Sequence, residues 1–334
     1  MSVATAQVQE DGRFLCRQVQ PAWPVSDLRA DLAHGFERSP RMLPPKYFYD
    51  DYGSQLFERI CETPEYYPAR AESALLAAHA AEIMGEVAPA HLIELGSGSS
   101  RKTRHLLRAA EALDVMPTYW PFDVCREMLE RSGRELVEEF PRLQVRALAG
   151  DYLGGLAHLP QAAGRQLFVF LGGTIGNFSE QEADRFLRDL RARLRPGDYL
   201  LLGADRVKDV AMLEAAYDDA AGVTAAFNLN VLNVVNRELQ ADFDLAGFRH
   251  RAVFNRAEAR IEMYLLAQRR QRVTIEALQR CYEFAPGEAI LTEISRKFTP
   301  ESLSAMLGRA GFVIERHLEG GERLFSLVLA KPLR

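Results

Sequence analysis

At 334 residues, 48% hydrophobic and 26% charged, the chain is long enough for one large domain or two modest ones and has an ordinary globular composition. A formal net charge of −5 gives no basic footprint for nucleic acid, and no apolar run approaches the ~20 residues of a membrane span. The start, MSVATAQVQEDGRF, lacks the basic and apolar regions of a signal peptide, so a cytoplasmic location is expected. Cys16, Cys61, Cys125 and Cys281 form no CxxC, and the histidines form no HxH or HxxxH pair, so neither a disulfide framework nor a metal site is expected.

Residues 1–17 are polar and unpatterned and are expected to be disordered. VSDLRADLAHGF (25–36) predicts a short helix with Ser26 as N-cap. The stretch that follows, to Arg70, is dense in Pro and Tyr and reads equally as a packed cover or a binding lid. Within it, SQLFERI is helical and TPEYYP is a turn leading into extended chain. AESALLAAHAAEIMGEV (71–87) predicts a helix with Leu75, Leu76, Ile83 and Met84 as its apolar stripe.

LIELGSGSSRKT (92–103) is a short apolar strand, a glycine turn and the start of a helix. This is where an open α/β sheet binds a nucleotide-like ligand, because glycines let its backbone approach and the helix N–H groups point at it. Arg101 stands where GxGxxG needs its third glycine, which disfavours a diphosphate cofactor. The E-x-G-x-G pattern resembles the first motif of class I S-adenosylmethionine-dependent methyltransferases.

TYWPFDV predicts a second strand ending in Asp123, an acid placed to take two ribose hydroxyls or, on position alone, to cap the following helix. LQVRALAGDYL is a third strand running into Asp151-Tyr152, and QLFVFLGGTIGNF a fourth running into a glycine-rich turn. Ser179 and Glu182 then form a capping box for a helix whose apolar face is Phe186, Leu187, Leu190 and Leu194, before a fifth strand ends at Asp205. Successive strand–helix units predict a doubly wound parallel α/β sheet. The alternation stops there. Two helices broken at Gly222 and a run of antiparallel strands fill 207–297, and TPESLSAML with a closing hairpin returns to the core, with Thr299 as N-cap and Pro300 as first helical residue. The expected division is a methyltransferase core of 71–206 and 298–334, with antiparallel edge strands, and a second α+β domain of 18–70 and 207–297.

Taken together, LPPKYFYDDYGSQLFERI, PEYYPAR, ELGSGSSRKT, PFDV, GDYL, FLGGTIGNF, LLGADRVKD, AYDDAAGVTAAFNLNVLNVVNREL, RIEMYL and TEISRKF are similar to the L-histidine Nα-methyltransferases of ergothioneine biosynthesis, in the same order from about residue 43 to 298. The resemblance implies S-adenosylmethionine as cofactor, held by Gly96, Lys102, Asp123 and the Asp151-Tyr152 pair. It implies Asn177 and Tyr217 on the substrate carboxylate, with Asn177 also positioning the amine. Tyr49 is then near the amine, and Tyr66, Glu293, Ser295 and Met263 surround the imidazole. The implied product is the trimethylbetaine hercynine, and the implied partner a small molecule rather than nucleic acid or a membrane.

Each residue also has a bland reading: a turn asparagine, a core aromatic, a core methionine, a surface glutamate. The chain departs from the family at Tyr264, Arg296 and Gly172-Gly173-Thr174, where the family commonly has His, Cys and GST. An Nα-methyltransferase for another amino acid, such as a tryptophan derivative, is the closest alternative, and Glu293 argues against it. A nicotinamide-dependent oxidoreductase is disfavoured by the missing glycine. A non-catalytic binding module on the same scaffold would have no need of Asp123, Asn177 and Tyr217 together.

Overall fold

The computed structural model describes residues 8–10, 12–22, 26–161 and 163–333. In chain order the strands are β1 (Val8–Glu10), β2 (Phe14–Gln18), β3 (Arg41–Met42), β4 (His91–Leu95), β5 (Thr118–Asp123), β6 (Gln144–Ala149), β7 (Gln166–Phe170), β8 (Tyr199–Asp205), β9 (Phe248–Asn255), β10 (Arg260–Ala267), β11 (Gln271–Ile275), β12 (Arg280–Phe284), β13 (Ala289–Arg296), β14 (Phe312–Glu319) and β15 (Phe325–Pro332). The α-helices are α1 (Leu28–Gly35), α2 (Asp51–Glu62), α3 (Tyr67–Val87), α4 (Thr103–Ala112), α5 (Arg126–Glu139), α6 (Tyr152–Gly155), α7 (Glu180–Arg191), α8 (Val210–Ala216), α9 (Val223–Leu239) and α10 (Pro300–Arg309). The chain divides into two compact units. The first takes the described residues of Met1–Val25, Pro68–Arg206 and Phe298–Arg334, and the second takes Ser26–Tyr67 and Val207–Lys297.

The first unit is a nine-stranded sheet in the order β1-β2-β6-β5-β4-β7-β8-β15-β14. Strands β2, β6, β5, β4, β7 and β8 are parallel, and β15 and β14 close that edge antiparallel. The chain leaves β4 outward through β5 and β6, then returns to β7 on the other side, so the order reverses between β4 and β7. In a doubly wound sheet that reversal is where a ligand binds, at the strands' C-terminal ends. Both faces of the sheet are covered. Leu92 faces a core containing Leu75, Leu76, Ile83 and Met84 of α3, and its neighbour Ile93 faces another containing Phe186, Leu187 and Leu190 of α7. A strand buried on both faces reads as a mostly apolar run, which is the reason for Leu92, Ile93 and Leu95.

Sequence expectations need correction at three places. Residues 8–10 and 14–18, expected to be disordered, are strands, and β2 pairs parallel with β6 from Phe14↔Val145 to Gln18↔Ala149. Residues 1–7 and 11 lie outside the described residues. The N-cap of α1 is Asp27, whose carboxylate accepts the Ala30 N–H at 2.8 Å, rather than Ser26. TPEYYP does not lead into extended chain, because α3 already begins at Tyr67. A proline at the second helical position costs no hydrogen bond, since that N–H has no intrahelical acceptor. The capping boxes Ser179/Glu182 and Thr299/Ser302 both form.

The second unit carries a four-stranded sheet, β3-β13-β10-β9, and a two-stranded ribbon, β11-β12. Gly222, at φ +72°, starts α9 after α8, at the position where the two helices were expected to break. Phe48, Tyr49, Phe57 and Phe227 pack ring to ring at 4.6–6.0 Å. Asn230 of α9 donates to Asp50 at 2.8 Å, which fixes α9 to the cap of α2.

Candidate active site

In the first unit the glycine turn follows β4. Gly96 and Gly98 hold φ of +71° and +50°, in the left-handed region that strains an L side chain. A Cβ on Gly96 would come 3.7 Å from the Tyr152 ring, and one on Gly98 would meet nothing within 4 Å. Asp123, at the end of β5, is half-buried. Its Oδ2 accepts the Gly98 N–H at 2.9 Å and its Oδ1 accepts the Cys125 N–H at 3.0 Å. Burial pushes the carboxyl up, and the N–H groups of Cys125, Gly98 and Val124 pull it back. The helix cap that position alone suggested does not form, since α5 has Cys125 as N-cap and no side-chain cap hydrogen bond; the Asp123 carboxylate instead ties β5 to the glycine turn. Asp151 caps α6 through the Leu153 N–H at 2.8 Å, and the Tyr152 ring lies edge-on to Phe122, Phe170 and Phe186. Asn177 ends a 3₁₀ turn after β7 and is half-buried.

Lys102 joins a residue that sequence reasoning missed. Its ammonium donates to Glu72, a wholly buried carboxylate on α3 that also accepts the Gly172 N–H at 2.8 Å. Glu72 lies three and four residues before Leu75 and Leu76, so helical spacing placed it on the apolar stripe, where a carboxylate needs a partner. Glu94 was missed as well. It is buried, accepts from Thr103 Oγ at 2.6 Å and from the Tyr119 hydroxyl, and burial pushes its carboxyl up to about 7.

These residues fit the cofactor that the glycine turn suggests. Ser97 Oγ, inside the turn, is buried with no hydrogen-bond partner among the described residues. A buried orphan hydroxyl beside two open glycines and an acid is a site shaped for a polar ligand.

In the second unit the remaining candidates come together. Glu293 pairs with Met263 across β13 and β10, and Ser295 pairs with Ile261. Glu293 and Ser295, two residues apart, point to one face. The register shifts between Met263 and Tyr264, leaving Thr292 as the extra residue, and its hydroxyl donates to Asn228 Oδ1 at 2.7 Å. The Glu293 carboxylate is buried and forms no hydrogen bond to another described residue. Burial pushes it up to about 7, and the Lys297 charge pulls it down. Tyr217, capping α8, has its hydroxyl 2.9 Å from Ser295 Oγ. The Tyr66 ring is edge-on to Tyr217 at 6.0 Å and to Phe57 at 6.1 Å, and burial drives its hydroxyl well up. Tyr49 sits edge-on against Phe57 and Phe227, both at 5.6 Å. The Tyr217 carbonyl accepts from His250 Nε2 at 2.8 Å, and Asn228 donates to His250 Nδ1 at 2.8 Å, so the ring is the Nε2–H tautomer.

Two departures from the family pattern lie away from this face. Tyr264 shares a face with Glu262 and donates to it at 2.6 Å, while Met263 points the other way. Arg296 likewise alternates away from Ser295. Sequence reasoning also passed over Lys297, which is buried and donates to both Tyr217 Oη and Ser295 Oγ at 2.9 Å.

A parallel sheet of this order, closed by an antiparallel hairpin and carrying a glycine turn with an acid at the end of the next strand, is the class I S-adenosylmethionine-dependent methyltransferase fold. Within that class the chain belongs to the histidine-specific, S-adenosylmethionine-dependent methyltransferases, whose family model matches residues 28–332. It is 48% identical over 284 residues to a histidine N-alpha-methyltransferase of Mycobacterium tuberculosis (strain CDC 1551 / Oshkosh), covering 85% of this chain and 88% of the relative. It is 49% identical over 284 residues, with the same coverage, to the enzyme of that description from Mycolicibacterium smegmatis (strain ATCC 700084 / mc(2)155). Among solved structures it is similar to an S-adenosylmethionine-dependent methyltransferase from Clostridium acetobutylicum ATCC 824, at 12% identity and a TM-score of 0.45, over 78% of this chain and 92% of that one. No helix among the described residues is long and apolar enough to cross a membrane.

Proposed function

We propose that the protein methylates the α-amino nitrogen of L-histidine three times, giving hercynine, the first step of ergothioneine biosynthesis. The observation that carries the substrate is Glu293, a buried carboxylate without a hydrogen bond among the described residues, opposite Met263 and two residues from Ser295. A carboxylate left so costs stability unless a ligand donates to it. An imidazole N–H does this, and Ser295 satisfies the other ring nitrogen.

S-adenosylmethionine supplies an electrophilic methyl group on a sulfonium. In our assignment the first unit holds it, with Gly96 giving backbone approach, Asp123 taking the ribose hydroxyls, Asp151 and Tyr152 the adenine, and Lys102 the carboxylate end. The second unit holds the ring of the substrate between Tyr66, Met263, Glu293 and Ser295. Asn177 and Tyr217 fix the substrate carboxylate, and Asn177 also positions the amine. An α-ammonium has no lone pair, so the nitrogen must lose its proton before each transfer. The proton leaves through a water held by Tyr49 or directly to solvent. Holding the ring and the carboxylate leaves the amine free to rotate and present a lone pair three times, so catalysis is mostly positioning. The trimethylated nitrogen is a fixed cation with nothing left to donate, which ends the sequence.

A tryptophan derivative fits less well, because an indole has one N–H and no ring nitrogen acceptor for the hydroxyl at Ser295. The test is proton NMR of the product. Nine equivalent N-methyl protons with an unmodified imidazole are expected, and a methyl on a ring nitrogen would reject the proposal.

A further inference from the structure

Ser100 ends the glycine turn with a φ of +54°, a left-handed conformation that strains any residue carrying a Cβ. Its N–H donates to the Ser97 carbonyl at 2.9 Å, and its carbonyl accepts the Arg104 N–H at 3.3 Å, where α4 begins. Its Oγ lies 2.9 Å from the Tyr119 hydroxyl of β5. That hydroxyl donates in turn to Glu94 of β4, which also accepts from Thr103 Oγ at 2.6 Å. All four side chains are buried. One carboxylate thus holds both ends of the segment 100–103, directly at Thr103 and through Tyr119 at Ser100. Lys102 lies between the two anchors.

We infer that Tyr119, backed by Glu94, is a positioning residue for S-adenosylmethionine: its hydroxyl keeps Ser100 left-handed and so keeps the glycine turn in the shape that binds. This inference rests on the assignment of that turn to the cofactor. The Tyr119 ring lies in an apolar core with Leu92, Leu107 and Val145, where a phenylalanine ring would pack as well. The surrounding core needs the ring, and the turn needs the hydroxyl.

Backbone strain persists only where neighbouring groups over-determine it. Glycine at position 100 needs no such support, because it takes left-handed backbone as readily as right-handed. Alanine there keeps the strain and loses the tether. The two substitutions remove the same hydroxyl, yet only alanine should weaken binding. If Ser100 Oγ touched the ligand itself, both would weaken it. Without the tether the turn spends part of its time in other conformations, and apparent affinity falls by the fraction that stays competent. Saturating cofactor restores the turn, so the loss belongs in Kd and in KM for S-adenosylmethionine rather than in kcat.

The experiment is calorimetric titration of S-adenosylhomocysteine into the wild type, Tyr119→Phe, Ser100→Ala, Ser100→Gly and the double variant Tyr119→Phe/Ser100→Gly, with steady-state kinetics beside it. We expect Tyr119→Phe and Ser100→Ala each to bind about five- to tenfold more weakly, the worth of one hydrogen bond. Ser100→Gly should stay within about twofold of wild type, and the double variant within about threefold, since glycine makes the tether unnecessary. KM for S-adenosylmethionine should follow Kd, with kcat within about twofold throughout. Wild-type affinity in Ser100→Ala or in Tyr119→Phe overturns the inference. So does an equal loss in Ser100→Ala and Ser100→Gly, or a loss in Tyr119→Phe that Ser100→Gly does not recover. If Tyr119→Phe does not fold, the contrast between alanine and glycine at position 100 decides alone. Asp123→Ala separates the two failures. If it binds S-adenosylhomocysteine as wild type does, the turn does not hold the cofactor and the inference falls with that assignment. If it binds weakly while the Ser100 and Tyr119 variants bind as wild type, the inference alone falls.

Discussion

Glu293 faces Met263 across β13 and β10 at a β-bulge, and the bulged residue, Thr292, is fastened by its own hydroxyl to Asn228 Oδ1 and to the Met263 carbonyl at 3.0 Å. A bulge re-aims a side chain, so the backbone sets the direction of the carboxylate. Glu293→Ala should therefore cut histidine affinity by about ten- to a hundredfold, the worth of a hydrogen bond to a charged group. It should also narrow the gap to phenylalanine and tryptophan, because the penalty of facing a partnerless carboxylate is gone. Calorimetry across the three amino acids checks this, and unchanged specificity would make Glu293 an ordinary strand residue.

Asp123→Ala should weaken S-adenosylhomocysteine binding by about ten- to a hundredfold while the protein still folds. The Gly98 and Cys125 N–H groups lose their acceptor in this variant, so part of the loss is disorder of the turn itself. Calorimetric affinity equal to wild type would remove Asp123 from the cofactor site.

Asn177→Ala should lower kcat/KM for histidine far more than it lowers S-adenosylhomocysteine affinity, since its assigned contact is with the substrate. Steady-state kinetics beside cofactor titration separates the two. The reverse pattern would move Asn177 to the cofactor.

The buried Glu94 gives stability a pH dependence. Its folded-state pKa of about 7 lies above its ordinary value of 4.5, so between those values the native state binds more protons than the unfolded state. The contribution is fully present below pH 4.5 and is lost as the pH rises through 7, by up to ~3 kcal/mol at 1.36 kcal/mol per unit. Glu293 acts in the same direction over the same window. Urea unfolding at pH 5 and pH 8 should show the loss in the wild type and a smaller one in Glu94→Gln. Equal losses in both would show that Glu94 is ionised throughout.

Gly203 on β8 leaves room for Glu72. A Cβ there would lie 1.8 Å from Glu72 Oε1 and 3.1 Å from the Phe325 ring. The carboxylate is held by the Gly172 N–H and Lys102, so Gly203→Ala should destabilise the protein by about 1–3 kcal/mol. A melting temperature equal to wild type would show that Glu72 can move aside.

How much of this was legible in the sequence depends on the range of the interaction that makes each feature. The glycine turn, the capping boxes and the break at Gly222 are local, and the residues that form them stand within a few positions of each other. Strand β2 was missed because FLCRQ becomes a strand only through β6, more than a hundred positions away. Glu72, Glu94 and Lys297 were missed for a related reason. A charged residue reads as solvated until the fold buries it, and only then does its pairing with Lys102, Tyr119 or Tyr217 become obligatory. Periodicity alone gave one clue, the position of Glu72 on the stripe of Leu75 and Leu76. Ser26 and Asp27 are both good caps, and local sequence does not choose between them.

The most direct test of histidine Nα-trimethylation is mass spectrometry after incubating the protein with S-adenosylmethionine and an equimolar panel of histidine, tryptophan, phenylalanine and tyrosine. Products of histidine alone are expected, gaining one, two and then three methyl groups and accumulating as the trimethylated form. Methylation of tryptophan in preference to histidine, or no methyl transfer to any of the four, would contradict it.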